Sequence, residues 1–445
     1  MELNTFVDEQ KYQQIMQDLL ARARKKGATQ AEAALTASIG LNVSVRMQSV
    51  DTLEFNRDKA LGLTVYIGKQ KGSASTTDLS ENSLEATVEA AINLAKLMEP
   101  DEFSGLAEKT DLAQAIPSLA LYHPWDLSVS QAIEMAQATE QFALGFDKQI
   151  SNSDGVAVNS GQSFYMYGNT HGFLGAYPAS RHGLSCSVIA HRGSEMERDY
   201  AYTVSRKAAL LDSAQHIGQQ AAQRTIARLG AHKLSTRRVP VLIHAELAAG
   251  FLNNFIGAIS GGRLFRRSSF LLDSRYKQIF PDWFEMTEQP HIPMGLASAP
   301  FDGDGVKTSE KDFVREGVVQ NYVLSAYSAR KLKLPNTGNS GGVHNVLVKS
   351  TGENYADLIK KMHKGLLVTE LMGQGVNLVT GDYSRGASGF WVENGEIQHA
   401  VHEITIAGNL STLFKQIVAI GEDRDLRKGI QTGSILIEEM MVAGS

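Results

Sequence analysis

The sequence predicts an α+β protein of two domains, each a largely antiparallel β-sheet packed by helices, the C-terminal one strand- and glycine-rich. Three observations carry this. At 445 residues the chain exceeds what one ordinary core serves. Long stretches of period-2 patterning, punctuated by Gly, Asn and Asp, alternate with amphipathic helical segments. Midway, the polar and basic segment Gly230 to Pro240 interrupts the pattern and divides the chain into 1–230 and 231–445.

Val7 to Lys26 reads as a surface helix, with Ile15, Leu19 and Leu20 on its apolar side and Gly27 as its stop. Alternation from 31 to 76 predicts an antiparallel meander, and Asp78 or Ser80 caps a helix ending near Met98. Glu99 to Trp125, with prolines at 100, 117 and 124, reads as an exposed connection. A helix from Ser128 to about Phe146, strands between Ile150 and Val204, and a helix over Leu211–Leu229 follow. The first half is thus laid out as helix, strands, helix, twice over, without residue-level repetition.

In the second half, Val241-Leu242-Ile243 predicts a buried strand. A helix follows, because Leu247, Ala248, Phe251, Leu252, Phe255, Ile256 and Ile259 share one face, and Ser260-Gly261-Gly262 ends it. Glu316-Gly317 and Asn394-Gly395 are turn signals, the latter within a hairpin. Helices are expected at Ser325–Lys331, Tyr355–Met362 and Leu410–Ile420, and strands over most of Gly365–Val379 and Tyr383–Ala407. The glycine-rich segments 337–345 and 381–389 read as loops, either plain turns or the lining of a channel that backbone can approach closely.

Composition narrows the function. With 43% hydrophobic and 20% charged residues the chain reads as soluble and globular, and no apolar run approaches the roughly 18–20 residues of a membrane span. The N-terminus is acidic and amphipathic, without a signal-peptide pattern. One cysteine, Cys186, excludes an internal disulfide and fits the cytoplasm. A net charge of −5 argues against nucleic-acid binding. No G-x-S-x-G elbow and no phosphate-binding P-loop is present. His399 and His402, three apart on a predicted strand, face opposite sides.

A strand leading into a helix that opens with His244-Ala245-Glu246 is the frame of a zinc peptidase motif. Long ordered segments around it (DKALGLTVY, GGRLFRRSSFLLDS, GLASAPFDGDGV, TGDYSRGASGFWVENGEIQ and HEITIAGNL among them) run from near residue 58 to near 410. On these the chain resembles the PmbA branch, also called TldE, of the TldD/PmbA peptidase family, peptidase U62, once named modulators of DNA gyrase. The resemblance implies a cytoplasmic heteromer with a TldD-like subunit that processes or degrades unfolded peptides. In the TldD branch the helix begins His-Glu-x-x-x-His: imidazoles and a C-terminal cysteine hold Zn²⁺, and the glutamate takes a proton from its water. Here His244 matches the first histidine, but Ala245 stands at the base position and Ala249 at the second histidine. Glu246 lies about 200° around the helix from His244, and Thr432 is the nearest stand-in for the cysteine.

The expectation is therefore no metal and no catalytic residue in this chain, with zinc in the TldD-like partner. Arg263, Arg266 and Arg267 are candidates for holding a substrate carboxylate or a partner's acidic groups, against a solvated turn. Asp382, Tyr383, Ser384 and Arg385 are candidates for channel lining, against a plain polar loop. His344 is a candidate substrate or partner contact, against an exposed loop histidine. A homodimer is expected when the partner is absent. The rival readings are an independent metallopeptidase with another site, and a non-enzymatic protein that binds a large partner such as DNA gyrase.

Overall fold

The computed structural model describes residues 7–444. Its first half holds two groups of the same order. The first is α1 (Glu9–Lys25), β1 (Gln30–Arg46), β2 (Ser49–Ile67), β3 (Gln70–Thr76) and α2 (Glu81–Leu97). The second is α3 (Val129–Leu144), β4 (Ile150–Asn169), β5 (Leu174–Arg192), β6 (Glu195–Ser205) and α4 (Ala214–Ala227). The groups share one sheet. β1 and β4 pair antiparallel, with Ile39 opposite Gln162 and Val43 opposite Val158, giving the order β3-β2-β1-β4-β5-β6.

Alternation decides which face is covered. On β1, Ala31, Ala33, Leu35, Ala37 and Ile39 pack under α1 and α2, while Val43 and Val45, on the same face, join the core under α3 and α4. All four helices therefore lie on one side, and the alternate positions, such as Gly40 and Asn42, face away from them. Local signals place the helices: Ser128 and Gln131 form a reciprocal capping box on α3, and Asp8 accepts from the Lys11 N–H at 3.0 Å on α1.

Residues 98–128 hold no long helix or strand, yet they are not an exposed connection. Leu106, Ala107, Leu112, Leu119 and Leu121 are buried, and Leu112 bridges to Val306. Single leucines that bury one at a time leave no periodic signal, which is why the segment read as exposed.

The second half begins with β7 (Arg237–Ile243), α5 (Ala245–Ala258), α6 (Gly261–Phe265), β8 (Met286–Glu288), β9 (Lys311–Arg315) and β10 (Val318–Val319). It continues with α7 (Ala326–Leu332), β11 (Val346–Val348), α8 (Tyr355–Met362), β12 (Gly365–Met372), β13 (Val376–Asn377) and β14 (Asp382–Glu393). It ends with β15 (Glu396–Asn409), α9 (Leu410–Leu413), β16 (Ile417–Ile420), β17 (Ile430–Gln431) and β18 (Ile435–Ala443). One sheet runs β10-β9-β8-β11-β17 and the other β12-β7-β18-β15-β14-β13. In the latter, β12 pairs with β7 on one side and with β14 on the other, so the sheet closes into a ring and removes its own edges.

Two expectations change here. Leu410–Ile420 is one helical turn followed by a strand: β16 pairs with β18, and Leu413, Phe414, Ile417 and Ile420 are buried in a spacing that fits either period over so short a window. Segment 381–389 is not a loop: from Asp382 onward it is the first part of β14. Its glycines serve close strand approach, since a methyl group at Gly389 would overlap the Leu367 carbonyl.

Candidate functional site

The β7–α5 junction lies at the centre of the C-terminal core. Leu242 and Ile243 are fully buried between β12 and β18. His244 caps α5, its Nδ1 accepting from the Glu246 N–H at 3.4 Å, and its ring meets Tyr355 edge-on with centroids 5.6 Å apart. Burial lowers its pKa, which favours the neutral imidazole. Ala245 and Ala249 are buried, so the positions one and five beyond His244 are filled by methyl groups. The Ala245 N–H donates to Ser434 Oγ at 3.0 Å, and Ser434 donates to Asp423 at 2.6 Å.

Glu246 points the other way, into a charge cluster that the sequence alone does not disclose. Arg224 of α4 donates to both its oxygens, at 2.8 and 3.2 Å, and Arg427 donates to Oε1 at 2.6 Å. Arg427 also grips Asp425 at 2.8 Å and the Tyr202 carbonyl at 2.7 Å, with its guanidinium carbon 4.2 Å from the Tyr202 ring centroid. Burial would raise the Glu246 carboxyl, but the two guanidiniums outweigh it and bring the pKa down to about 2. Arg224 and Arg427 stand 22 and 181 positions from Glu246, so no local spacing signals the cluster.

These residues do not fit a zinc site. His244 is the sole histidine at the junction, Glu246 is engaged by two cations, and the Thr432 hydroxyl donates to the Gly433 carbonyl. Among the described residues no three His, Cys, Asp or Glu side chains gather to hold a metal ion.

Tyr202 leads from the cluster onto the face of the six-stranded sheet opposite α1 to α4, part of which packs against the second half through Phe301 and Ala326. A cleft of about 440 Å³ opens there, lined by Gly40, Asn42, Asn159, Gly161, Ser185 and Tyr202 among others. Small and polar side chains at alternate positions of four neighbouring strands leave this face shallow and rich in hydrogen-bonding groups. Within single strands the pattern was legible; that four strands align it was not.

The other sequence candidates gather elsewhere. Arg263 lies in α6 and Arg266 and Arg267 just after it, the last two exposed, at the far end of α5 and roughly 21 Å of helix from His244. Asp382 to Arg385 neighbour that same end, where the Phe270 N–H donates to the Leu378 carbonyl at 2.9 Å. They belong to strand β14, so their sides alternate. Asp382 and Ser384 are exposed, and Arg385 donates to the Met372 carbonyl at 3.1 Å. Tyr383 is 2% exposed and packs on Phe251, which places it in the core and not on an open channel. His344 is likewise buried. Its backbone N–H and its Nδ1 lie 2.6 and 3.1 Å from Glu288, a carboxylate also held by Asn339 and Lys311, so it is no exposed loop histidine.

Comparison with known proteins bears on what this centre belongs to. Profiles described as PmbA/TldA metallopeptidase domain 1, central domain and C-terminal domain match residues 31–95, 122–229 and 236–444. The chain is 49% identical to a Metalloprotease PmbA homolog of Haemophilus influenzae, covering 98% of this chain and 97% of that one. It belongs to the PmbA/TldD metallopeptidase family. Metalloprotease PmbA of Escherichia coli O157:H7 is 48% identical, with 96% and 94% covered. A Metalloprotease TldD homolog of H. influenzae shares 20% identity across 84% of this chain and 82% of its own length. Among solved structures, a Bacteroides thetaiotaomicron protein described as a candidate modulator of DNA gyrase superposes with a TM-score of 0.92 at 28% identity, covering 99% and 100%. TldE of Thermococcus kodakarensis shares the fold with a TM-score of 0.86 at 21% identity, covering 97% and 100%. The strand β7, the cap histidine and the helix α5, with the arginine-clamped glutamate beside them, lie within the stretch that the C-terminal domain profile matches.

Proposed function

We propose that this chain is the PmbA-type subunit of a cytoplasmic peptidase, contributing assembly and substrate handling, while a TldD-like chain contributes zinc and the general base. The observation that carries the reading is the β7–α5 junction: buried methyl groups of Ala245 and Ala249 stand where the family resemblance implies a base and a ligand, and Glu246 is bound by Arg224 and Arg427. A metallopeptidase needs an open metal position and a free base beside it, and neither is supplied by these side chains. The relatives named metalloproteases and the TldD homolog favour a peptidase role with a TldD-like partner. The cleft on the sheet face opposite the helices suits an unfolded peptide, since its polar side chains offer hydrogen bonds to a peptide's main chain with little sequence demand. Without its partner the chain pairs with itself.

The test is cleavage of an unstructured peptide by the purified chain, by a TldD-like chain, and by the mixture. Cleavage confined to preparations containing the TldD-like chain, and abolished by a chelator, is expected; chelator-sensitive cleavage by this chain alone overturns the reading. A second reading, a binding protein for a large partner such as DNA gyrase, rests on the description of the Bacteroides neighbour. Affinity capture that returns gyrase and no TldD-like chain would favour it.

A further inference from the structure

We infer that a separate pocket, at the seam between the two halves, binds a single free aliphatic amino acid, with its carboxylate on Arg275 and Asn336 and its ammonium on Asp111. The pocket shares no lining residue with the cleft beside Tyr202 or with the β7–α5 junction, and the inference does not depend on where the zinc resides.

A cavity of about 210 Å³ opens where the 98–128 segment meets the second half. Pockets that enclose a drug-sized ligand measure roughly 300–1,000 Å³, so this one suits a smaller molecule. Its walls come from separate stretches of chain that are fixed against one another. Asp111 is placed by the backbone: its carbonyl accepts the Lys307 N–H at 3.0 Å, and the next residue, Leu112, bridges to Val306. Arg275 is held twice, its backbone N–H donating to the Tyr322 hydroxyl at 2.8 Å and its Nε to the Gln320 carbonyl at 3.0 Å. Thr337 ties the loop after α7 to Leu324, its hydroxyl accepting the Leu324 N–H at 2.8 Å and donating to the Leu324 carbonyl at 3.1 Å. The cavity is thus preformed, which spares a ligand the cost of ordering it.

The polar groups left over decide the ligand. Asn336 Oδ1 accepts the Gly338 N–H at 3.1 Å, which fixes how the amide is turned, and its Nδ2 is buried without a hydrogen-bond partner. Buried donors rarely stay unsatisfied, so an acceptor belongs beside it. The two terminal nitrogens of Arg275 likewise donate to no protein group among the described residues. A guanidinium fork and an amide N–H together fit a carboxylate. Asp111 is the opposite case, a half-buried carboxylate with neither hydrogen bond nor ion pair among the described residues. Two lysines also line the cavity, but the Lys311 ammonium is bound by buried Glu288 and Lys307 is exposed to solvent. One cation and one anion are therefore left for a ligand, and a zwitterion complements both. A phosphate would set its charge against Asp111. Val306, Leu324 and Leu334 supply the apolar part of the wall, which fits an aliphatic side chain.

L-Leucine is the probe, with isocaproate, which lacks the ammonium, and isoamylamine, which lacks the carboxylate, as its halves. Isothermal titration calorimetry on the purified full chain should show one L-leucine site, at least tenfold tighter than either half and than inorganic phosphate. Asn336→Asp keeps the acceptor for Gly338 and replaces the orphaned donor with a carboxylate oxygen, so it should weaken L-leucine at least tenfold. Asp111→Asn should weaken L-leucine to the same degree while isocaproate binds as well as before or better, a split that a merely structural role would not produce. The melting temperature of each unliganded variant reports whether the fold is kept; where a variant fails to fold, the ligand series on the wild-type chain decides. No binding of L-leucine at millimolar concentration overturns the proposal. So does tighter binding of phosphate or isocaproate than of L-leucine, or L-leucine binding that both folded variants leave unchanged.

Discussion

At Glu246 two opposing effects meet: burial disfavours the charge, and the guanidiniums of Arg224 and Arg427 favour it and win. With its pKa at about 2 in the fold and near 4.5 in the unfolded chain, the carboxylate contributes stability that is fully present above about pH 4.5. That stability is lost as the pH falls toward 2, and its ceiling is roughly 3 kcal/mol. Glu246→Gln should therefore lower unfolding free energy by about 2–3 kcal/mol at pH 7, with the difference from wild type vanishing toward pH 2. Urea unfolding across that range checks it. His244 was legible as the residue that opens the helix, from its place before an apolar helical face; that it caps α5 is a finding of the fold. Its neighbours in space, Arg224 and Arg427, were not, because tertiary charge pairs leave no periodic trace. Tyr383 misled for a simpler reason: in a strand the residue between two exposed polar ones faces inward, and glycine-rich context disguised the strand as a loop.

Among the elements, α2 and β3 meet more closely than side chains allow. Gly72 lies directly under α2, where an added methyl would overlap the Ala91 carbonyl and the Ala95 backbone. The φ of Gly72 lies outside the left-handed region, so the requirement is space and not conformation. Gly72→Ala should push α2 off the sheet and cost about 1–3 kcal/mol, with overpacking as the cause. A lowered melting temperature together with faster amide exchange in Glu81–Leu97 is the expected outcome; an unchanged protein would contradict the packing described. Period-2 runs such as Ala31 to Ile39 announced β1, and the seven-residue apolar face announced α5. The ring closure through β12 was hidden, since β7, its parallel neighbour, lies far from it in sequence.

On the scale of the whole molecule, the two halves are clasped by guanidiniums that take backbone carbonyls across the seam. Arg330 of α7 donates to Phe103, Gly105 and Leu106 at 2.7 to 3.0 Å, and Arg206 donates to Gly295 and Leu296 at 2.9 and 3.0 Å. A planar fork is needed for three convergent acceptors, so Arg330→Ala should cost about 2–4 kcal/mol and Arg330→Lys should recover little of it. Limited proteolysis should then cut within 99–125 in the variant and not in the wild type. The sequence marked that segment as an exposed connection by its prolines, but its role as a strap depends on Arg330, which only the fold brings to it. Clasped in this way, the cleft beside Tyr202, the arginine-bound Glu246 and the β7–α5 junction form one continuous region. The functional account turns on whether that region holds a metal. The most direct measurement is the zinc content of the purified chain, alone and in complex with a TldD-like chain. The account predicts far less than one equivalent for the chain alone and about one per pair in the complex. One equivalent of tightly bound zinc on this chain alone, lost in His244→Ala, would contradict it.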